Sequence, residues 1–114
     1  MGMQTSKLKR IVGTGTSGNA LTVSSVADGK YRLIGVTCAY DGSPTQTGVL
    51  VTLNSGAGGA YDCVLLTGSA NARYTFLQPT QEFIINDDDV IDVLAPAASG
   101  RIASIAIYLE KVNQ

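Results

Sequence analysis

The chain has no histidine, no tryptophan and only two cysteines among its 114 residues. The lack of histidine excludes a Ser-His-Asp triad and imidazole ligands for a metal, and two cysteines alone cannot build a structural zinc site. Without tryptophan, the five tyrosines make a poor platform for stacking sugar rings. The enzymatic route that stays open is carboxylate chemistry from Glu82 and an aspartate. We therefore predict no catalytic residues, no cofactor and no metal site, and a protein that is not an enzyme.

Charged residues are also scarce, at 15% of the chain compared with about 25% in an average protein. The net charge is −1, so no overall field attracts nucleic acid or an anionic membrane. No hydrophobic run approaches the length of a membrane span, and the polar start of the chain precedes no signal-peptide core. We expect a protein made in a cytoplasm, with neither nucleic acid nor a membrane as its partner. We expect its surface both to be rich in small polar residues and to be partly covered by another subunit.

What the sequence does contain is a series of short apolar runs that suit β-strands. Turns rich in Gly, Pro, Asn and Asp separate these runs, and no window has the period of a helix. Such spacing is typical of a β-sandwich or barrel, and long connections between some runs favour a Greek-key or jelly-roll order over a simple meander. The predicted fold class is therefore all-β, an antiparallel β-sandwich of 8–9 strands. We divide the chain into a flexible N-terminal arm with a glycine hinge at 1–18 and a sandwich domain at 19–114. Within the first part, residues 7–12 are either a short strand or arm.

The strands at 30–40 and 48–54 are predicted to form an antiparallel pair at the centre of the fold. The loop between them contains two turn signals, Asp41-Gly42 and Ser43-Pro44. Asp28-Gly29, just before the first strand, is the sharpest hairpin signal in the chain. Alternation along both strands predicts one set of side chains at the centre of a core between two sheets: Ile34, Val36, Cys38, Tyr40, Val49, Val51 and Leu53.

The glycines in Gly13–Gly18 match the G-x-G-x-x-G spacing of a dinucleotide-binding turn. That turn needs a helix after it, whereas a strand is predicted to follow here. We therefore interpret these glycines as a flexible hinge.

The acidic run Asp87–Asp89, with Asp92 close behind it, has the charge of a calcium site. Its consecutive carboxylates lack the spaced arrangement of a known calcium loop. We predict a solvated turn that keeps a sheet edge soluble, and ion binding stays open.

Cys38 and Cys63 both fall at the apolar phase of predicted strands. We expect reduced thiols that pack as small hydrophobic side chains. A disulfide between adjacent strands also stays open.

Three segments are apolar on both faces of a predicted strand, at 64–66, 83–85 and 90–91. A neighbouring copy of the chain would bury the second face of such strands, and the alternative is that they lie at sheet corners. We predict a homo-oligomer. The expected interface residues are Tyr31, Leu66, Ile84 and Tyr108.

Three pieces of the sequence carry a resemblance to a known family: SPTQTGV at 43–49, LNSG at 53–56 and AIYLE at 106–110. Over residues 18–112 the chain resembles the small jelly-roll decoration, or cement, proteins on the heads of tailed bacteriophages. The resemblance implies a β-sandwich, often trimeric, that sits on the capsid surface of the virion. It also implies that the protein braces neighbouring subunits of the major capsid protein and has no catalytic residues.

Under this resemblance, the arm at 1–18 is the segment expected to reach the capsid and to order on contact. The alternative is that it is a loose tail. The expected capsid contacts are Lys7, Lys9, Arg10 and Ile11. The alternative function is a receptor- or glycan-binding module of a phage head or tail fibre.

Overall fold

The computed structural model describes residues 8–42, 48–56, 58–59, 62–68 and 74–112. Within these residues the chain forms nine β-strands, which confirms the predicted all-β class. In the same ranges no helix is long and apolar enough to cross a membrane. The strands are β1 (Leu8–Thr14), β2 (Leu21–Val26), β3 (Tyr31–Tyr40), β4 (Val49–Asn54), β5 (Cys63–Gly68), β6 (Tyr74–Leu77), β7 (Ile84–Ile85), β8 (Val90–Ala95) and β9 (Ala103–Lys111).

The strands form two antiparallel sheets that pack face to face. Sheet I has the order β1-β9-β3-β6, with β7 paired to the same edge of β3 as β6, and sheet II has the order β2-β8-β4-β5. β1 therefore lies beside β9, β2 beside β8, β3 beside β6 and β4 beside β5. A long ribbon of paired strands that is rolled into two sheets has this order, so the sandwich is a jelly roll.

The hydrophobic core lies between the inner faces of the two sheets. In β9 the side chains of Ile105, Ile107 and Leu109 alternate inward, and in β8 those of Ile91 and Val93 do the same. Burying a side chain of this kind contributes roughly 1.5–3 kcal/mol. The central strands β3, β9, β4 and β8 supply most of these buried side chains.

The predicted pairing of the two central strands is wrong. β3 pairs with β6, β7 and β9 in sheet I, whereas β4 pairs with β5 and β8 in sheet II. The chain crosses from one sheet to the other after Tyr40, and the inner faces of both strands still point into one core. Alternation identifies the buried face of a strand but not its neighbour, because either arrangement buries the same side chains.

The hairpin predicted at Asp28-Gly29 is wrong for the same reason. β2 and β3 lie in different sheets, so this turn is a crossing between sheets. A type I′ hairpin turn needs a positive φ at both central residues, and here only Gly29 has one, at 144°.

One predicted core residue, Ile34, is displaced by a β-bulge. The register between β3 and β9 shifts between Leu33 and Gly35. Leu33 therefore takes the inward position and is buried, whereas Ile34 is half-buried. Val36 and Cys38 beyond the bulge are buried as predicted.

Of the two alternatives for the segment at 7–12, a short strand or arm, the structure shows a strand in the part that it describes. β1 pairs with β9 along its whole length, from Leu8 opposite Glu110 to Thr14 opposite Ser104. Ile11 packs against the core, which fixes β1 as an edge strand of sheet I.

The glycines at 13–18 belong to the sandwich and not to a hinge. The backbone N–H groups of Gly15 and Gly18 donate to the carbonyl oxygens of Ala103 and Arg101, each at 2.8 Å. A Cβ on Gly13 would lie 2.5 Å from a methyl carbon of Val23. Gly13 is therefore suited to the close approach of β1 to β2, which is a packing role.

Candidate interaction surface

The outer face of sheet I carries most of the exposed large hydrophobic side chains of the described residues. Of six such side chains, four lie on this face, and they are 54–74% exposed. Half-buried apolar side chains lie between them. We call this surface the apolar face. Its members are Leu8, Val12, Ile34, Tyr74, Phe76, Ile84, Ala106 and Tyr108.

Strand pairing arranges the apolar face in rows that cross the sheet. In the central row, Val12 lies opposite Ala106, Ala106 opposite Thr37, and Thr37 opposite Phe76. Every position of this row belongs to a paired strand. A surface built on strands is more rigid than one built on loops, so it loses little conformational freedom when it binds a partner.

Phe76 rests on the bulge in β3. A Cβ on Gly35 would lie 2.6 Å from two carbons of the Phe76 ring and 3.1 Å from the carbonyl oxygen of Leu77. The space left by the missing side chain is therefore occupied by the ring. The bulge and its glycine keep an aromatic ring on the outer face of the sheet.

Charged side chains lie at one end of the apolar face. The Nη1 atom of Arg32 is 2.9 Å from Oε2 of Glu82, and its Nε atom is 3.1 Å from Oε1 of Glu110. The hydrogen bond to Glu110, followed by that to Glu82, raises the pKa of the Arg32 guanidinium. The outward row here runs Leu8, Glu110, Arg32, Ile84.

A second charged cluster lies at the corner where β1 and β9 meet the turn after β2. The Tyr31 hydroxyl donates to Asp28 at 2.6 Å, and Lys9 Nζ is 3.4 Å from the same carboxylate oxygen. The Tyr31 hydrogen bond, and then Lys9, lower the pKa of Asp28, while the bond to Asp28 raises the pKa of Tyr31. Lys9 and Lys111 also lie 5.3 Å and 6.0 Å from the centre of the Tyr31 ring. This cluster holds the ring in place.

The structure brings some of the predicted contact residues together. Arg10, Ile84 and Tyr108 all lie on the outer face of sheet I, and Arg10 is directly opposite Tyr108. Lys9 is bound in the corner cluster, and Lys7 lies outside the described residues.

Three other predicted contact residues point into the sandwich. Tyr31 is buried in the core, and Ile11 and Leu66 pack against it. Sequence reasoning missed Val12, Tyr74 and Phe76. The available signal for Val12 was that it directly follows Ile11. In a strand, two adjacent apolar residues point to opposite faces, so one of them must face outward.

The outer face of sheet II is more polar. At its centre Asp92 accepts hydrogen bonds from the side chains of Ser24 and Asn54. The Thr52 hydroxyl donates to the backbone carbonyl of Asp92 at 3.4 Å. The two sheets therefore offer unlike surfaces to a partner.

A shallow depression of about 260 Å³ lies at the β4–β5 end of sheet II, between Asn54 and Cys63. Cys63 is exposed there, which corrects its prediction as a packed residue, because it begins an edge strand. Cys38 is buried in sheet I, and burial raises the pKa of its thiol. Both thiols are free.

The acidic turn is only partly a solvated turn. Asp87 and Asp88 are exposed as predicted, but Asp89 is 5% exposed. Its two carboxylate oxygens accept hydrogen bonds from the backbone N–H groups of Gly56 and Asn86, both at 2.9 Å. Asp89 therefore ties this turn to the loop after β4. Across the described part of the chain, no group of three His, Cys, Asp or Glu residues is arranged to hold a metal ion.

No protein-family model and no curated protein matches this chain. Among solved structures, the chain is similar to the nucleoplasmin-like N-terminal domain of Drosophila FKBP39, with 13% identity, 98% of each chain covered and a TM-score of 0.48. It is also similar to the Drosophila NLP core, described with pentamer formation and histone binding, with 14% identity, 93% of this chain and 99% of that chain covered and a TM-score of 0.46.

A third similar structure is a chain of the acid-stable capsid of Helicobacter pylori bacteriophage KHP30. The identity is 13%, the alignment covers 90% of this chain and 92% of that chain, and the TM-score is 0.48. None of these three TM-scores reaches 0.5, and all three identities are low. These likenesses therefore carry no argument about function.

Proposed function

We propose that this chain is a structural virion protein that decorates and stabilises a bacteriophage capsid. It would bind subunits of the major capsid protein as a homo-oligomer, with a trimer favoured by the sequence resemblance. It would work without catalysis and without a cofactor, on the outside of the virion. The resemblance at 43–49, 53–56 and 106–110 is the starting point of this proposal.

The observation that carries the proposal is the apolar face of sheet I. Val12 and Phe76 are 63% and 54% exposed on paired strands, and contiguous exposed apolar surface of this kind marks sites of protein association. A decoration protein that works as an oligomer needs such a surface to join its copies, and it needs no catalytic cleft.

The mechanism would be linkage between binding and assembly. A protein that binds only the assembled lattice stabilises that lattice by mass action. Each copy of the oligomer would add a contact, so the effective affinity exceeds that of one domain. The rigid strands of sheet I would keep the entropic cost of joining the copies of the oligomer small.

Because β1 is a strand, fewer of the predicted residues are available to contact the capsid. Arg10 is exposed on the outer side of sheet I, while Ile11 points inward. We therefore propose Arg10 as the capsid contact among the described residues, because Lys9 is held by Asp28 in the corner cluster.

The test is sedimentation of the purified protein with expanded empty heads of the phage that encodes it. We expect saturable binding that Arg10→Glu weakens. The matched control is Arg101→Glu, an exposed arginine in the turn before β9 at the opposite end of the sandwich. Failure of the unaltered protein to sediment with the heads would overturn the proposal.

A further inference from the structure

The charges at the end of the apolar face alternate in sign along one row. The row contains Leu8 on β1, Glu110 on β9, Arg32 on β3 and Ile84 on β7. The two apolar residues lie at its ends, and the two opposite charges lie at its centre. If the row is reversed and laid against a second copy of itself, apolar residues face apolar residues and opposite charges face each other.

The central row of the face has the same property. Val12 lies at one end and Phe76 at the other, with Ala106 and Thr37 between them. A rotation of 180° about an axis parallel to the strands, midway between β9 and β3, exchanges the two ends of every row. The same rotation leaves each row at its own height along the strands.

We propose that the apolar face of one copy packs on the apolar face of a second copy about this two-fold axis. Glu110 then faces the partner's Arg32, and Arg32 faces the partner's Glu110. Leu8 meets the partner's Ile84, and Val12 meets the partner's Phe76. Aligned sheets pack with their strands within about 30° of each other, so the positions nearest the axis, on β9 and β3, superpose best. In the charged row these positions are Glu110 and Arg32.

Charge complementarity selects this axis over the other two-fold packing of the same face. An axis perpendicular to the strands would exchange the charged end of the face for the end that carries Thr14 and Tyr74. Glu110 and Arg32 would then be covered without opposite charges facing them, which costs free energy. The parallel axis instead joins the two Arg32–Glu110 pairs into one network.

The size of the face predicts a weak association. Four strands about 4.8 Å apart and seven residues of about 3.3 Å each give a projected area of roughly 450 Å². This projection is smaller than the roughly 800 Å² of accessible surface that a standard interface buries on each partner. We therefore expect a pair that forms in the micromolar range. A two-fold contact through this face joins only two copies, so a trimer would have to form through a different surface.

The inference rests on the self-association in the proposed function and not on capsid binding. The experiment is sedimentation equilibrium of the protein alone across the micromolar range. We expect a reversible monomer–dimer equilibrium, which Val12→Asp weakens by at least about tenfold. The control is Val26→Asp, because Val26 has a similar exposure, 60% against 63%, on the outer face of sheet II. The control is expected to pair like the unaltered protein.

Charge reversal tests the axis itself. Arg32→Glu makes the charged pair wholly acidic, and Glu110→Arg makes it wholly basic, so each variant alone repels its own copy. A mixture of the two restores both opposite-charge contacts across the axis. We expect each variant alone to be monomeric and the mixture to form a heterodimer, with melting curves confirming that both are folded.

Several results would overturn the inference. They are a monomer throughout the concentration range, a trimer that Val12→Asp leaves intact, equal loss of pairing in Val26→Asp, or a mixture that fails to pair. Binding to phage heads is measured separately, so failure of the proposed function and failure of the paired face give different results.

Discussion

Tyr40 shows, at the scale of a single residue, how the two sides of the sandwich are joined. Its ring is 4% exposed, and its hydroxyl donates a hydrogen bond of 2.8 Å to the backbone carbonyl of Pro96, which follows β8 in sheet II. Burial, and then the neighbouring Cys38, raise the pKa of Tyr40 to about 12. The phenol therefore keeps its proton in the folded state well beyond the pH at which an exposed tyrosine loses it.

This pKa predicts a loss of stability in alkali. An unfolded tyrosine titrates near pH 10, so between about pH 10 and 12 the unfolded state has lost a proton that the folded state retains. The free energy of unfolding therefore falls as pH rises through this window, by about 2 kcal/mol for Tyr40. Cys38 and Tyr31, whose pKa values are also raised, act in the same direction.

Tyr40→Phe isolates the contribution of the phenol. We expect it to cost about 1 kcal/mol at neutral pH, because the Pro96 carbonyl loses its donor. Between pH 10 and 12 its stability should fall less steeply than that of the unaltered protein. Urea unfolding at a series of pH values measures both effects, and equal slopes for the two proteins would contradict the assignment.

Asp89 gives a second prediction at this scale. Asp89→Ala leaves the N–H groups of Gly56 and Asn86 without their acceptor, and we expect a loss of about 2–4 kcal/mol in the free energy of unfolding. Asp87→Ala, at an exposed position of the same turn, should change stability by no more than about 0.5 kcal/mol. Chemical unfolding of the two variants makes the comparison. A similar small effect in both would mean that Asp89 does not tie the turn to its neighbouring loop.

Alternation along β3 predicted the buried residues correctly on the C-terminal side of the bulge, but not on its N-terminal side. Val36 and Cys38 are buried as predicted, while Leu33 takes the place predicted for Ile34. The bulge is set by the register with Tyr108 on β9, and that strand is distant in sequence. Gly35 inside the strand is a local sign of a bulge, but the pairing with β9 decides which residues shift.

At the scale of the element, β1 is the clearest test of the architecture. A variant that lacks residues 1–17 loses the pairing with β9 and the packing of Ile11, and we expect it to lose about 3 kcal/mol or more. A variant that lacks residues 1–7 removes none of the described strand pairs and should keep its stability. Thermal unfolding followed by circular dichroism compares them. Equal melting temperatures would restore the flexible arm that the sequence suggested.

The existence of most strands could be predicted, whereas their neighbours could not. Asp28-Gly29 and Asp41-Gly42 have the chemistry of tight turns, and the same chemistry serves a chain that crosses between two sheets. Among the described strands, only β4 and β5 are neighbours both in sequence and in a sheet. Every other pairing is decided by the global packing of the core.

At the scale of the whole molecule, the candidate surface is set by which strands place apolar side chains on the outer face of the same sheet. The sequence indicated Ile84 and Tyr108, but it did not predict that Val12 and Phe76 share their face. That knowledge requires β1, β9, β3 and β6 to lie side by side. The two outer surfaces of the sandwich therefore differ: sheet I carries the apolar face, and sheet II carries the polar Asp92 network.

The position of β9 also governs when the protein can fold during synthesis. This strand is the last of the described strands along the chain, yet it lies between β1 and β3 in sheet I. A ribosome makes β1 long before its neighbour exists, so sheet I stays open until Ala103–Lys111 leaves the exit tunnel. The apolar strands made earlier must wait as a nascent chain, exposed to chaperones or to other unfinished chains.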